Sequence, residues 1–299
     1  MTQKTDFQSD MVDLIVQAME KGTPPWRAPW ADHGQGLMPL RACGTPYRGV
    51  NVFMLWMTAQ DKGYTSSFWM TFNQAKKFNA RVRKGEKSTR ILHYSIREVE
   101  RSDGRVDEIP CARAYSVFNA DQIDDLPDGF QLNSDAPQSA FPIETLDMAF
   151  KQTGANIIHS ATPKAYYKPA DDLIHMPNID LFDNTEGYYA TLAHESIHWT
   201  GHKSRLDRLE KFQDTQVYAF EELVAELGSA LLCAQIGLEP RVDESAAYLS
   251  HWIKALKDDK RSLFRAASAA QKATDFLLER MKVEDELDDT SSIGLKDAA

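Results

Sequence analysis

Cysteine is scarce: Cys43, Cys111 and Cys233 are the only three among 299 residues. They stand far apart and form no CxxC pair, which argues against both a disulfide framework and a cysteine zinc site. Long apolar runs are missing as well. No stretch of about 18 apolar residues occurs, so no membrane span and no membrane partner are expected. The opening MTQKTDFQSD is polar and lacks the apolar core of a secretion signal. A soluble, cytoplasmic protein is the expectation.

What is present is unevenly spread. The formal net charge is −10, yet residues 1–120 carry 17 Lys and Arg against 12 Asp and Glu, while the rest carries 17 against 32. A basic first part joined to an acidic second part suggests separate tasks, and only the basic part suits a polyanion by charge. The stretch DQIDDLPDGFQLNSDAPQSAFP is rich in Asp, Pro, Ser and Asn and shows no apolar period, so it reads as a linker. The division expected is a first domain at 1–122, a linker at 123–142, a second domain at 143–284 and an acidic tail at 285–299.

In the first part Met11, Ile15 and Met19 recur at helical spacing and Gly22 ends that helix. Thr71 and Gln74 fit a capping box for TFNQAKKFNA. The segments STRILHYSIREVE and IPCARAYSVFN flank the turn-forming RSDGR, which predicts a hairpin. The second part reads as mostly helical. DDLIHMPNID predicts a short strand ended by Pro177, and Asp183 or Asn184 caps a helix running to Gly201. Val217, Phe220, Val224, Leu227 and Leu231 mark another over about 215–236, and two more follow. The fold class is α+β in two domains: mixed α and β first, then mainly helical with a small sheet.

Residues 194–198 read HESIH. Histidines four apart on a helix share a face and can share a cation, and Glu195 between them stands where a general base takes a proton from water. A catalytic zinc takes three protein ligands, so His194 and His198 need a third. Ser204 stands where HExxHxxGxxH would require another histidine, which excludes that arrangement. FEELVAELG is the better source. Glu222 and Glu226 share a helix face, as in the ExxxE helix of gluzincin-like peptidases, which Glu222 then fits as ligand with Glu226 as the hydrogen-bond partner of a ligand histidine. Glu226 is the alternative ligand, and Glu221 reads as solvated. Tyr188, Tyr189, Tyr218 and Arg205 are candidate oxyanion donors. DDLIHMP is the candidate edge strand for an extended peptide. His33, His93, His159, His175 and His251 read as surface or satisfied interior residues.

The first part combines aromatic and basic residues: TPPWRAPW with Trp26, Arg27 and Trp30, then Tyr47 and Arg48, then KKFNARVRKGEKSTR. Lys76, Lys77, Arg81, Arg83, Lys84, Lys87 and Arg90 crowd into that last run. Cations that track phosphates beside faces that stack bases suit single-stranded nucleic acid.

In order, PPWRAPW, YRGVN, FWMTFNQAKKFNARVRKGEKS, YSVFNADQI, HESIHWTGHKSRLDR and YAFEELVAELGSALL resemble the ArdC-type antirestriction proteins of conjugative plasmids over about residues 8–280. The resemblance implies an N-terminal single-stranded DNA-binding domain and a C-terminal gluzincin-like zinc metallopeptidase domain that protect incoming DNA from host restriction. It implies Zn2+, with Mn2+ as an alternative, held by His194, His198 and the acidic FEELVAE segment. Glu195 is then catalytic, and the protein substrate, unidentified, is sought in the host restriction system. The alternative is a non-enzymatic protein that coats single-stranded DNA around a structural metal. A third reading makes the acidic second half a DNA mimic.

Overall fold

The computed structural model describes residues 7–22, 24–26, 38–101, 106–130, 143–209, 215–238 and 246–281. Helix α1 (Phe7–Glu20) buries Met11, Ile15 and Met19 along one stripe. Gly22, at φ 78°, then turns the chain where a side chain would be strained. Strand β1 (Leu40–Arg41) leads to α2 (Val50–Lys62), β2 (Phe68–Met70), α3 (Phe72–Lys77) and β3 (Arg81–Val82). Thr71 caps α3, and Gln74 bonds back to the Thr71 amide, so the expected capping box forms.

The long hairpin is β4 (Thr89–Glu100) and β5 (Val106–Asn119), paired in register from Thr89↔Val117 to Glu100↔Val106. Most of the expected RSDGR turn lies outside the described residues. The main sheet has the order β1-β2-β5-β4. Asn51 secures α2 to it: its side-chain amide donates to the Leu92 carbonyl at 2.7 Å and accepts from the Leu92 amide at 2.8 Å.

The expected linker begins too early. Strand β6 (Ile123–Asp124) pairs with β3, and Phe130 is buried against the rings of Phe68 and Phe78. The packing of the first domain therefore includes residues up to 130 at least, because Ile123 and Phe130 supply apolar anchors between the acidic positions.

The second domain opens with α4 (Ile143–Gln152), β7 (Asn156–Ser160), β8 (Tyr166–Lys168) and β9 (Leu173–Pro177). These strands have the order β7-β9-β8, with β7 parallel and β8 antiparallel to β9. Among the described residues four helices follow: α5 (Thr185–Thr200), α6 (Thr215–Gln235), α7 (Ala246–Asp258) and α8 (Arg261–Arg280). Asn184 caps α5 by accepting from the Gly187 amide. Helix α6 is buried all round along Glu221–Ala234, which marks it as the central helix rather than a surface one. No described helix is long and apolar enough to cross a membrane.

The two domains share one apolar core. Trp26 meets the rings of Phe53 and Trp252, and the Gly49 amide donates to Gln271 Oε1 at 2.9 Å.

Candidate metal centre and basic face

Helices α5 and α6 pack face to face, and Gly228 sets how closely. A Cβ at this glycine would lie 2.9 Å from Ile197 Cδ1 and 3.0 Å from its Cγ1 and Cγ2. Only a hydrogen fits there, so the helices approach near the HESIH turn. Ser229 Oγ then reaches the Ala190 carbonyl. This approach carries Glu222 to the histidines: its Oε2 is 3.7 Å from His194 Nε2 and its Oε1 is 3.5 Å from His198 Nε2.

The three donor atoms lie within 4.8 Å of one another. Two donors about 2.1 Å from a zinc ion at the tetrahedral angle stand about 3.4 Å apart, so the observed spacing fits a shared divalent cation. Two imidazoles and one carboxylate also match the ligand count of a catalytic site that keeps a position open. Glu195, on the same turn of α5, is 8% exposed.

The electrostatics agree. Glu195, Glu221, Glu222 and Glu226 are all buried, and such carboxylates are costly unless compensated. Burial alone would push His194 down, but pairing with Glu222 and the charges of Glu195 and Glu226 outweigh it and raise its pKa to about 9. Burial likewise opposes ionisation of Glu222, yet pairing with His194, the charge of His198 and a hydrogen bond with Tyr218 hold it down at about 2. The cluster attracts positive charge, and a divalent ion satisfies it without a proton on the imidazole.

Glu221 is not solvated. It is 2% exposed, its Oε1 lies 3.4 Å from His198 Nδ1, and it accepts from Arg208 Nη2 at 2.9 Å and Nε at 3.2 Å. With His198 it makes the contact to the far nitrogen of a ligand histidine that was expected of Glu226, whose charge acts on the other histidine, His194. Burial raises the Glu221 pKa, but the bonds with His198 and Arg208 overcome that and lower it. Arg208 is fixed in turn by the Ile197 carbonyl and Thr200 Oγ1, so His198 is braced from behind. One signal could have revealed Glu221: a helix apolar on every side has no solvated face for a carboxylate.

The other candidates separate cleanly. Tyr218 reaches Glu222, from one turn earlier on α6. Tyr188 bonds His159 Nε2 at 2.8 Å, Tyr189 bonds Asp147 at 3.0 Å, and Arg205 pairs with Asp172 while lying over the Trp199 ring. Segment DDLIHMP is not an edge: β9 is the middle strand of its sheet, with backbone groups engaged on both sides. Its His175 is a satisfied interior residue, bonded to the Lys164 carbonyl and Ser160. Gly201 ends α5 with φ −75°, and is needed for closeness instead, since a Cβ there would meet Leu209 and the His198 carbonyl at 3.0 Å.

In the basic half, burial overturns two expected DNA contacts. Trp26 is fully buried against Phe53 and Trp252, and Tyr47 is buried with its hydroxyl donating to the Trp69 carbonyl. Proline-flanked tryptophan here fills the interface with α7, and the tyrosine of YRGVN supports β2. Arg27 and Trp30 lie outside the described residues. Arg48 pairs with Asp275 across the domains, Arg81 with Asp124 and Asp125, and Arg83 with Glu86 and Asp124. Arg90 covers the Phe7 ring. Lys76, Lys77, Lys84 and Lys87 are exposed.

Comparison with known proteins follows this division. Residues 5–118 match the model of the N-terminal domain of anti-restriction factor ArdC, and residues 144–269 match that of a zincin-like metallopeptidase. The metal-free crystal structure of the antirestriction protein ArdC from plasmid R388 superposes with TM-score 0.82 at 51% identity, over 92% of this chain and 98% of that one. The chain belongs to the ArdC antirestriction family. The Mn(II)-bound structure of the R388 protein superposes with TM-score 0.80 at 49% identity, over 93% and 98% of the two chains. With a Mn(II)-bound relative and the His194–His198–Glu222 cluster, a divalent metal is the cofactor of the family's zincin-like domain. Protein y4eC of Sinorhizobium fredii (strain NBRC 101917 / NGR234) is 34% identical, over 91% of this chain and 92% of that protein. DNA primase TraC of Escherichia coli is also 34% identical over 92% of this chain, but the chain spans only 27% of that primase's length.

Proposed function

We propose that this ArdC-family chain protects incoming plasmid DNA from host restriction, binding single-stranded DNA through its first domain and hydrolysing peptide bonds at the metal centre of its second. The observation that carries the reading is the convergence of His194, His198 and Glu222 beside a buried Glu195. A divalent cation there would acidify water and polarise a peptide carbonyl. Glu195 takes the proton from the attacking water and returns it to the leaving amine. Glu221 and Arg208 keep the His198 ring oriented. Tyr218, hydrogen-bonded to Glu222, is the candidate donor to the developing oxyanion. An extended peptide pairs with an outer strand of this sheet, β7 or β8, since β9 is closed on both sides. The protein works in the cytoplasm, and its protein substrate belongs to the host restriction system.

The test compares wild type with Glu195→Gln in three assays: peptide cleavage, restriction protection in cells, and single-stranded DNA binding. The expected result is loss of cleavage and protection with DNA binding intact. Full cleavage by the variant refutes the base assignment. Protection that survives without cleavage transfers the function to the DNA-binding domain and leaves the metal structural.

A further inference from the structure

A cavity of about 600 Å³ opens in the first domain, between the β1 turn, α3 and the β4–β5 hairpin. Its size falls in the range of small-molecule sites. Ile91, Val117 and Phe78 give it apolar surface, Tyr115 and His93 give it rings, and Arg41 and Lys77 bring positive charge. No carboxylate stands among its described lining residues, in a chain with net charge −10. The neighbouring cavity in the same domain differs: there Arg81 and Arg83 face Asp121, Asp124 and Asp125 and are neutralised.

Register explains the rings. Ile91 stands opposite Tyr115 and His93 opposite Arg113, so these four share one face of the hairpin. Tyr115 is 42% exposed, and its ring meets that of His93 edge to face at 5.7 Å. Arg41 lies over the Tyr47 ring at 5.6 Å, and no described carboxylate pairs with it. Gln74 spends its carbonyl on Thr71 and keeps its amide NH2 as a donor. An aromatic face, hydrogen-bond donors and the Arg41 guanidinium together suit a base with its phosphate. The strip continues past the cavity through Arg113, as a strand requires and a lone small molecule does not.

We propose that this cavity holds one unstacked base of a bound single strand against Tyr115 and His93, with its phosphate on Arg41. The proposal rests on the reading that the first domain binds single-stranded DNA. It replaces the buried Trp26 and Tyr47 with exposed stacking groups.

The full-length protein is titrated against fluorescein-labelled dT20 and an abasic oligomer of equal length. Tyr115→Ala should lose about fivefold or more on dT20, Tyr115→Phe should restore binding, and the abasic oligomer should bind all three alike. Unchanged dT20 binding by Tyr115→Ala, or an equal loss on both oligomers, overturns the proposal. If wild type binds neither oligomer, the single-stranded DNA reading itself falls. Free dTMP that binds the protein as tightly as dT20 reassigns the cavity to a nucleotide and overturns the strand. Independently of any variant, 5-iododeoxyuridine in dT20 should photocrosslink to peptides holding His93 or Tyr115. Adducts confined to other peptides overturn the placement.

Discussion

The Glu221→Gln substitution tests whether the metal centre depends on the brace behind His198. Glu221 is buried and faces His198 Nδ1 on one side and the Arg208 guanidinium on the other. Glutamine has nearly the same shape but one accepting oxygen. Either its NH2 turns toward Arg208, two donors meeting, or it turns toward His198 and displaces the donating ring nitrogen. Both choices leave a buried charge poorly compensated. Breaking one side of a buried ion pair costs about 3–5 kcal/mol. Arg208 keeps its bonds to the Ile197 carbonyl and Thr200 Oγ1, which places this loss at the lower end. For the metal, removing the partner of a ligand histidine weakens binding about 10- to 100-fold. The assay is competition for zinc against a chromophoric chelator, run where circular dichroism shows the variant folded. An affinity within twofold of wild type would refute the bracing role and leave Glu221 a purely structural ion-pair partner of Arg208.

Metal should stabilise the fold that supplies its ligands. Zinc or manganese at a hundredfold excess over Kd contributes about 2.7 kcal/mol, so Tm should rise by about 5–10 °C, reversed by EDTA and absent in His194→Ala. Gly228→Val forces α6 away from α5 at Ile197. Overpacking of about 1–3 kcal/mol should therefore appear in denaturant unfolding together with weaker metal binding, whereas a stable variant with normal affinity refutes the close-approach argument. Asp172 is held below 3.8, first by its bonds from Arg205. Its contribution to stability is fully present above the unfolded pKa near 3.8 and is lost as pH falls through the lower folded pKa, so Asp172→Asn should lower Tm at pH 7 by an amount that shrinks steadily as pH falls below 3.8.

The metal centre was legible because its key spacing is local. His194, Glu195 and His198 occupy one turn and a half of a capped helix, and no tertiary information is needed to put them together. Glu222 was legible through its helix spacing and through family resemblance. Which neighbouring carboxylate meets His198 Nδ1 was not, since one residue on α6 rotates a side chain by about 100° and the crossing over Gly228 decides the phase. DDLIHMP reads as a strand, but its place in the middle of the sheet depends on β8, whose three residues are too few for a periodicity. Tryptophan was the least legible residue: Trp26, Trp56 and Trp69 all lie in the interior, and composition cannot distinguish a ring that stacks a base from one that fills a core. Tyr115 carries no such sequence signal, being a single ring in an ordinary hairpin pattern, and His93 reads as a surface residue and is one.

The charge boundary and the acidic stretch suggest two halves that fold separately, and the packing argues otherwise. Trp26 of the first half and Trp252 of α7 touch at 6.3 Å between ring centroids, both almost fully buried. Around them, Lys260 pairs with Asp13 and donates to Ser9, Lys257 pairs with Glu20, and Arg48 pairs with Asp275. The surface ion pairs add little each, but uncovering the aromatic seam does not. Each large side chain left in water forfeits about 1.5–3 kcal/mol, which is a sizeable share of the stability of a domain. Residues 1–142 or 143–299 expressed alone should therefore aggregate or melt well below the whole chain. Co-expressed, the halves should copurify and keep the zinc affinity of the intact protein. Halves that fold alone with unchanged Tm would show that the shared core is incidental, and that the DNA face and the metal centre are joined only by the chain.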